Sequence, residues 1–335
     1  MAEQAKQILI IGAGSVGKRH LGNLHDLGIR RFAVVDPRKD RRDDALTLVP
    51  EVTPHATLAE ALATTRFDAA VIGSPPSYHV DQAIALIDAG VPFFLEKPVC
   101  KTLYEARRLE RALQANPVAH VLGYTYRWWP PLRAFRTAMA RIGKPLHARF
   151  VMSAHLADWH TWERYQDFFM ASAEQGGGAL LDESHFLDLM CWFFGMPETL
   201  YGEVGKISTL EIDTDDNVDC LATYGSGLRV SIHLDLFGRP HEKYISISGE
   251  GGTVDWRFDP NEVRFSNTVA GEYEVETFTC ERNAMFVEAI REFLAVIDGQ
   301  AEPSCTLADG IDVMRLIEAV RTSTRDGRVV RMTEL

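Results

Sequence analysis

The chain has 335 residues, 46% of them apolar and 24% charged, with a net charge of −12. That balance belongs to an ordinary globular protein and argues against a binder of nucleic acid or of an anionic membrane. At ~100–200 residues per domain there is room for two domains. Five scattered cysteines (Cys100, Cys191, Cys220, Cys280, Cys305) form no C-x-x-C pair, so no disulfide framework or thiolate zinc site is expected, and the reducing cytoplasm is the simplest compartment. No run approaches the ~18 apolar residues that span a membrane. The start, MAEQAKQILIIGAG, lacks the basic segment of a secretory signal.

In the first third, short apolar runs alternate with helix-length segments. Ile8–Ile11, Phe32–Val35, Ala69–Gly73, Val91–Leu95 and Ala119–Gly123 read as strands; Gly14–Leu27, His79–Ala89 and Leu103–Gln114 read as helices. Continuously apolar strands separated by helices predict a parallel sheet covered on both faces, the doubly wound α/β arrangement. We place this doubly wound, Rossmann-like domain at residues 1–123.

Beyond residue 124 the pattern changes. Leu146–His155, Val218–Tyr224, Leu228–Leu236, Tyr244–Gly249 and Thr253–Phe258 read as strands, several with period-2 alternation, which predicts one buried and one wetter face. Helices are expected at Leu180–Phe194, Ala284–Ile297 and Ala308–Ser323. Residues 124–335 therefore form a second, α+β domain with an open-faced, mostly antiparallel sheet. Its last helix is free to pack back on the first domain.

Gly12-Ala-Gly14-Ser15-Val16-Gly17 follows a predicted strand and opens a predicted helix. The first glycine suits a tight turn, the second lets backbone approach a pyrophosphate, and the third lets helix and strand pack closely. An anion would rest on the helix start. Asp36 lies 19 residues after Gly17, where a carboxylate accepts hydrogen bonds from a ribose diol and repels a 2′-phosphate. NAD(H) is therefore favoured, with NADP(H) left open by Arg38, Arg41 and Arg42 close by; Arg38 is also placed to lie over an adenine. The plain alternative is a turn that binds nothing. Gly73-Ser74-Pro75-Pro-Ser-Tyr-His79 breaks off another strand at its carboxyl end, the ligand edge of such sheets. It reads equally as a rigid turn with Ser77 capping the next helix.

Two segments carry reactive groups. Glu96-Lys97-Pro98 ends a core strand, and a desolvated lysine there can trade protons; a surface Lys–Glu pair is the rival explanation. Gly176-Gly-Gly-Ala-Leu-Leu-Asp182-Glu-Ser-His185-Phe-Leu-Asp188 is denser. On one helix Asp182, His185 and Asp188 would share an i, i+3 line, putting carboxylates beside an imidazole able to take a hydroxyl proton. A capped amphipathic helix with a buried histidine is the bland alternative. A metal site drawing in His155 or His160 has no supporting spacing, and none is expected. The aromatic stretch Met152–Phe169, with Trp159, Trp162 and Tyr165, suits stacking on a sugar or nicotinamide, and equally a domain interface.

Taken together, GAGSVGKRH, SPPSYHV, EKP, GYTYRWWP and GGGALLDESHFLD occur in an order that resembles the glucose–fructose oxidoreductase / inositol dehydrogenase / rhizopine catabolism (Gfo/Idh/MocA) family. The resemblance implies that Lys97 is the catalytic lysine, His185 the general acid/base and Asp182 the carboxylate that places the substrate. It also puts Gly12, Gly14, Ser15, Val16, Gly17, Asp36, Arg38, Ser74, Pro75, His79, Glu96 and Lys97 at the cofactor. Lys97, Tyr124, Arg127, Trp162, Tyr165, Asp182 and His185 would face the substrate. Thr125 stands where asparagine is commoner. Many members also have one more residue and a glycine between the aspartate and the histidine, so the roles of Asp182 and His185 are open to rotation by ~100°.

The expectation is an NAD(H)-dependent oxidoreductase that interconverts a secondary alcohol and a ketone on a sugar, nucleotide-sugar or cyclitol. It would act as a homodimer or homotetramer through the C-terminal sheet, with neither nucleic acid nor membrane as partner. A non-catalytic dinucleotide or sugar sensor and an NAD-dependent glycosidase are the alternatives.

Overall fold

A computed structural model describes residues 6–159, 163–269 and 271–335. The chain divides into two compact units: Met1–Thr125 with Arg282–Ile311, and Tyr126–Glu281 with Asp312–Leu335. Residues 282–311 thus return to the first unit, whereas the sequence reading drew a single boundary after residue 123.

The first unit alternates β1 (Gln7–Ile11), α1 (Ser15–Asp26), β2 (Arg31–Val35), α2 (Lys39–Leu48), β3 (Thr53–His55), α3 (Leu58–Thr64), β4 (Ala69–Ile72), α4 (Pro76–Asp88), β5 (Phe93–Glu96), α5 (Leu103–Ala115) and β6 (His120–Gly123). All its strand pairs are parallel, in the order β3-β2-β1-β4-β5-β6. Burial on both faces explains why β1, β4 and β5 are continuously apolar. The strand order reverses between β1 and β4, the switch point at which such sheets bind ligands. Because the strands run parallel, Gly12, Asp36, Ser74 and Lys97 all leave the sheet at one edge. β3 escaped the sequence reading: it has three residues and a proline, as only an edge strand tolerates.

The second unit contains α6 (Pro130–Ala138), β7 (Pro145–Ser153), α7 (Ala179–Asp182), α8 (His185–Phe194), β8 (Thr199–Gly205), β9 (Asn217–Thr223), β10 (Arg229–Asp235), β11 (Glu242–Gly249), β12 (Gly252–Arg257), β13 (Glu262–Ser266) and β14 (Glu274–Thr277). Then come α9 (Ala284–Ile297), α10 (Leu307–Asp326) and β15 (Val330–Arg331). Nine strands form one sheet, β14-β13-β12-β11-β7-β10-β9-β8-β15, antiparallel except where β7 and β10 pair in parallel. One face is apolar: Ala148, Phe150, Met152, Val230, Ile232 and Leu234 are buried there, with α8 packed on β7 and α7 on β9 and β10. The other face carries Arg149, Ser231, His233 and Ser246, with Leu221 45% and Tyr201 39% exposed. There His233 bridges Asp219 and Asp235, at 2.7 and 3.0 Å, and these carboxylates hold its pKa up at about 9.

Helix α9 belongs with the first unit. Its buried residues Met285, Phe286, Ala289, Ile290 and Phe293 make a single helical stripe that packs on α1 and β6. Among the described residues no helix is long and apolar enough to cross a membrane.

Candidate active site

In the first unit the nucleotide loop is shaped by sterics that only glycine satisfies. Gly12 has φ +89°, and a Cβ there would lie 2.7 Å from the Ser74 backbone nitrogen. A Cβ on Gly17 would sit 1.8 Å from the Gly12 carbonyl oxygen, so α1 packs against the turn at a distance no side chain permits. Gly14 differs: its Cβ would meet only the end of Arg41, at 3.8 Å. It is also the N-cap of α1 and supplies no side-chain acceptor to the first turn. Uncapped N–H groups beside a backbone without a side chain fit a pyrophosphate.

Asp36 is buried at the end of β2. Its Oδ2 accepts from the Ala13 N–H at 2.9 Å and its Oδ1 from the Arg38 N–H at 2.9 Å, with Arg41 at 3.8 Å. The carboxylate is thereby tied to the glycine loop and held where a ribose would lie. The Arg38 guanidinium is engaged by Asp40, which is itself held down at about 2 by that contact.

Ser74 donates its hydroxyl to Gln82 at 2.6 Å. Pro75 is the N-cap of α4 and Pro76 its first residue, so Ser77 lies inside the helix and does not cap it. Buried His79 places its ring nitrogens 2.8 Å from the Ser74 carbonyl and 2.9 Å from the Pro98 carbonyl. Burial lowers its pKa, and a neutral ring donates to one of these oxygens only. His79 therefore straps the loop after β4 to the loop after β5. Glu96 is also buried, with Oε1 2.6 Å from Nε2 of His20, whose ring leans on Phe94 and Phe286. Spacing gave no sign of the His20–Glu96 pair, which anchors the residue before Lys97. Lys97 is half-buried, and Tyr124 and Thr125 are wholly buried.

In the second unit, the structure corrects the reading of 180–194 as one helix. α7 ends at Asp182 and α8 starts at His185. Glu183 and Ser184 form a turn between the two helices, where the Ser184 hydroxyl donates to the Leu181 carbonyl at 2.7 Å, a local side-chain bond of the kind that competes with regular helix. The i, i+3 line of Asp182, His185 and Asp188 is therefore broken. The glycines before α7 answer to neighbours: a Cβ on Gly177 would lie 2.3 Å from the Met170 carbonyl, and Gly178, at φ +107°, runs against Asp215. Asp215 accepts from the Leu180 N–H at 2.8 Å and so caps α7 from outside, while burial raises its pKa.

Asp188 serves Arg127. Nε of Arg127 lies 3.2 and 3.0 Å from the two carboxylate oxygens and a terminal nitrogen 2.7 Å from Oδ1, in a fully buried bidentate pair. The His185 ring stacks on Tyr126, with centroids 4.4 Å apart and planes 14° from parallel. Trp256 meets Tyr126 edge-on at 6.3 Å, and Lys243 donates to the Tyr126 hydroxyl at 3.3 Å. Sequence reading missed Tyr126 and Lys243. The signal for the lysine was present, since alternation along β11 gives it the parity of buried Ile245 and Ile247. The Tyr165 hydroxyl accepts from the Glu211 N–H at 3.2 Å, and His155 caps its own turn through the Ala157 N–H. Trp162 and His160 lie outside the described residues. Among the described residues no three His, Cys, Asp or Glu side chains gather as a metal site.

A parallel sheet in the order 3-2-1-4-5-6, a glycine-built anion cradle and an acid ending the second strand define a dinucleotide-binding α/β protein. The family model described as "Oxidoreductase family, NAD-binding Rossmann fold" matches residues 6–124, and the model "GFO/IDH/MocA C-terminal domain" matches residues 136–255. The chain belongs to the Gfo/Idh/MocA family and is one of its NAD-binding oxidoreductases. The reading of the glycine loop as a turn that binds nothing falls with that assignment. The chain is 22% identical to the D-apiose dehydrogenase of Paraburkholderia graminis, covering 97% of this chain and 89% of that one. It is 29% identical over 145 residues to an inositol 2-dehydrogenase of Streptomyces avermitilis, a match covering 42% of each chain. In fold it is similar to an oxidoreductase of Agrobacterium radiobacter solved with NAD+, L-tartaric acid and magnesium, with a TM-score of 0.85, 18% identity and 99% of both chains covered.

Proposed function

We propose that the protein interconverts a secondary alcohol and a ketone on a sugar, nucleotide-sugar or cyclitol, and that it prefers NAD(H) to NADP(H). The observation that carries this reading is that the chain keeps both a lysine at the carboxyl end of β5 and a histidine at the start of α8, beside an acid at the end of α7. The names of the relatives, dehydrogenases of an apiose and an inositol, support the substrate class. The cofactor preference rests on Asp36, whose fixed carboxylate would repel a 2′-phosphate.

The bound dinucleotide supplies the hydride acceptor or donor. The Lys97 ammonium holds the reacting oxygen and favours alkoxide-like charge on it. His185, its ring plane fixed by Tyr126, takes or returns the hydroxyl proton. Asp182 places the substrate, and Arg127, pinned by Asp188, ties the turn before α6 to the first turn of α8. Half-buried Tyr165 offers aromatic surface to a sugar ring, whereas Tyr124, wholly buried, backs the site without facing a substrate. A polyol deuterated at its carbinol carbon tests the reaction. The protein should move the label to the nicotinamide of NAD+, and Lys97→Met should slow that transfer by ~10³-fold; transfer at the normal rate removes Lys97 from the chemistry.

Self-association as a homodimer or homotetramer through the open face of the nine-stranded sheet belongs to the same proposal, supported by half-exposed Leu221 and Tyr201 on it. Sedimentation at micromolar concentration should show it, and a monomer alone refutes it.

A further inference from the structure

Position 243 is the one place where β11 departs from its own pattern. The strand alternates, with Ile245 and Ile247 buried on the helix-covered face, and Lys243 has their parity; its partner across the ladder, Met152, is wholly buried. A cation has been set, half-buried, at the first inward-facing position of the strand. Its ammonium lies 3.3 Å from the Tyr126 hydroxyl, 6.0 Å from the centre of that ring and 5.6 Å from the centre of the Phe258 ring. Among the described residues no carboxylate comes within ion-pair distance of it, and Tyr126 is its polar partner. His241 also stacks on Phe258, with centroids 5.7 Å apart.

This is an unusual environment for a structural lysine. A half-buried ammonium loses hydration, and ring faces with one neutral phenol restore only part of it. An anion restores it in full. The location says whose anion: Tyr126, the group that receives the Lys243 hydrogen bond, is also the ring on which His185 stacks. The Lys243 ammonium and the centre of the His185 ring are therefore at most about 10 Å apart, a span that a sugar carrying an acidic group can bridge.

We propose that Lys243, with Tyr126, receives an anionic group of the substrate, a carboxylate or a phosphate, so that the protein acts on acidic sugars in preference to their neutral parents. This rests on the oxidoreductase reading above and narrows its substrate class.

The test uses matched pairs: uronic acids against the parent aldoses, and sugar phosphates against the free sugars. Each pair is followed by NAD+ reduction and, independently of turnover, by saturation-transfer NMR on the full chain. In the unaltered protein the acidic member of at least one pair should be favoured by ~10-fold or more in kcat/KM and in binding. Lys243→Met should erase that preference, weakening the acid ~10-fold more than its neutral parent, whereas Lys243→Arg should keep most of it. The carboxylate and phosphate arms then tell which anion is read. The proposal is overturned if neutral members are handled as well as the acids, if no acid binds, or if Lys243→Met weakens both members of a pair alike, as a merely structural lysine would. Acids that bind through Lys243 while no member of the panel reduces NAD+ would keep the anion site and refute the proposed redox reaction.

Discussion

In the first unit the anion-binding features are backbone features, to which the Asp36 carboxylate adds one side chain. Gly12 and Gly17 are demanded by close approach, Gly14 leaves its side open, and the anion cradle is a row of N–H groups at the start of α1. In the second unit the candidate site is made of side chains that hold one another: Arg127 on Asp188, His185 on Tyr126, Tyr126 under Lys243. A backbone site needs particular residues at fixed spacing, so it leaves a motif. A side-chain site needs only that distant residues meet, so it leaves single residues whose meaning depends on the fold. On the proposed function, the first unit reads a cofactor common to many enzymes, and the second would be free to vary with substrate.

The contrast can be broken from either side. The largest effect is expected in the first unit from Gly17→Ala, because the new Cβ would lie 1.8 Å from the Gly12 carbonyl oxygen and the obstacle is backbone, which cannot turn aside. NADH affinity should fall by ~100-fold or more in a fluorescence titration, while the second unit keeps its unfolding transition. In the second unit, Asp188→Ala should leave NADH binding intact. It should cost about 3–5 kcal/mol in denaturant unfolding, because the Arg127 guanidinium then stays buried without its carboxylate. An unfolding curve unchanged by Asp188→Ala would mean that the buried pair is replaceable and that the second unit is not organised by its side-chain pairs.

The same contrast explains what was legible in the sequence. Five of the six parallel strands of the first sheet were found because burial on both faces leaves continuous apolar runs, and Ala284–Ile297 because its buried stripe repeats with the helical period. The glycine loop and Asp36 were found through spacing. What escaped depends on contacts between remote segments or on one local competition. His20 meets Glu96 across 76 positions of sequence, and Lys243 meets Tyr126 across 117. The turn at Glu183 and Ser184 divides what hydrophobic periodicity presents as a single helix. Lys243 was the recoverable omission, since strand parity alone marks it as a charge on a core face.

The most direct test of this division of labour is the dissociation constant of NADH from Lys97→Met, measured beside the rate of label transfer. A nucleotide site built from backbone predicts an affinity within about twofold of the unaltered protein, while transfer falls by orders of magnitude. If affinity is lost along with transfer, the lysine is part of what holds the dinucleotide, and the separation between a backbone that binds and side chains that react does not hold.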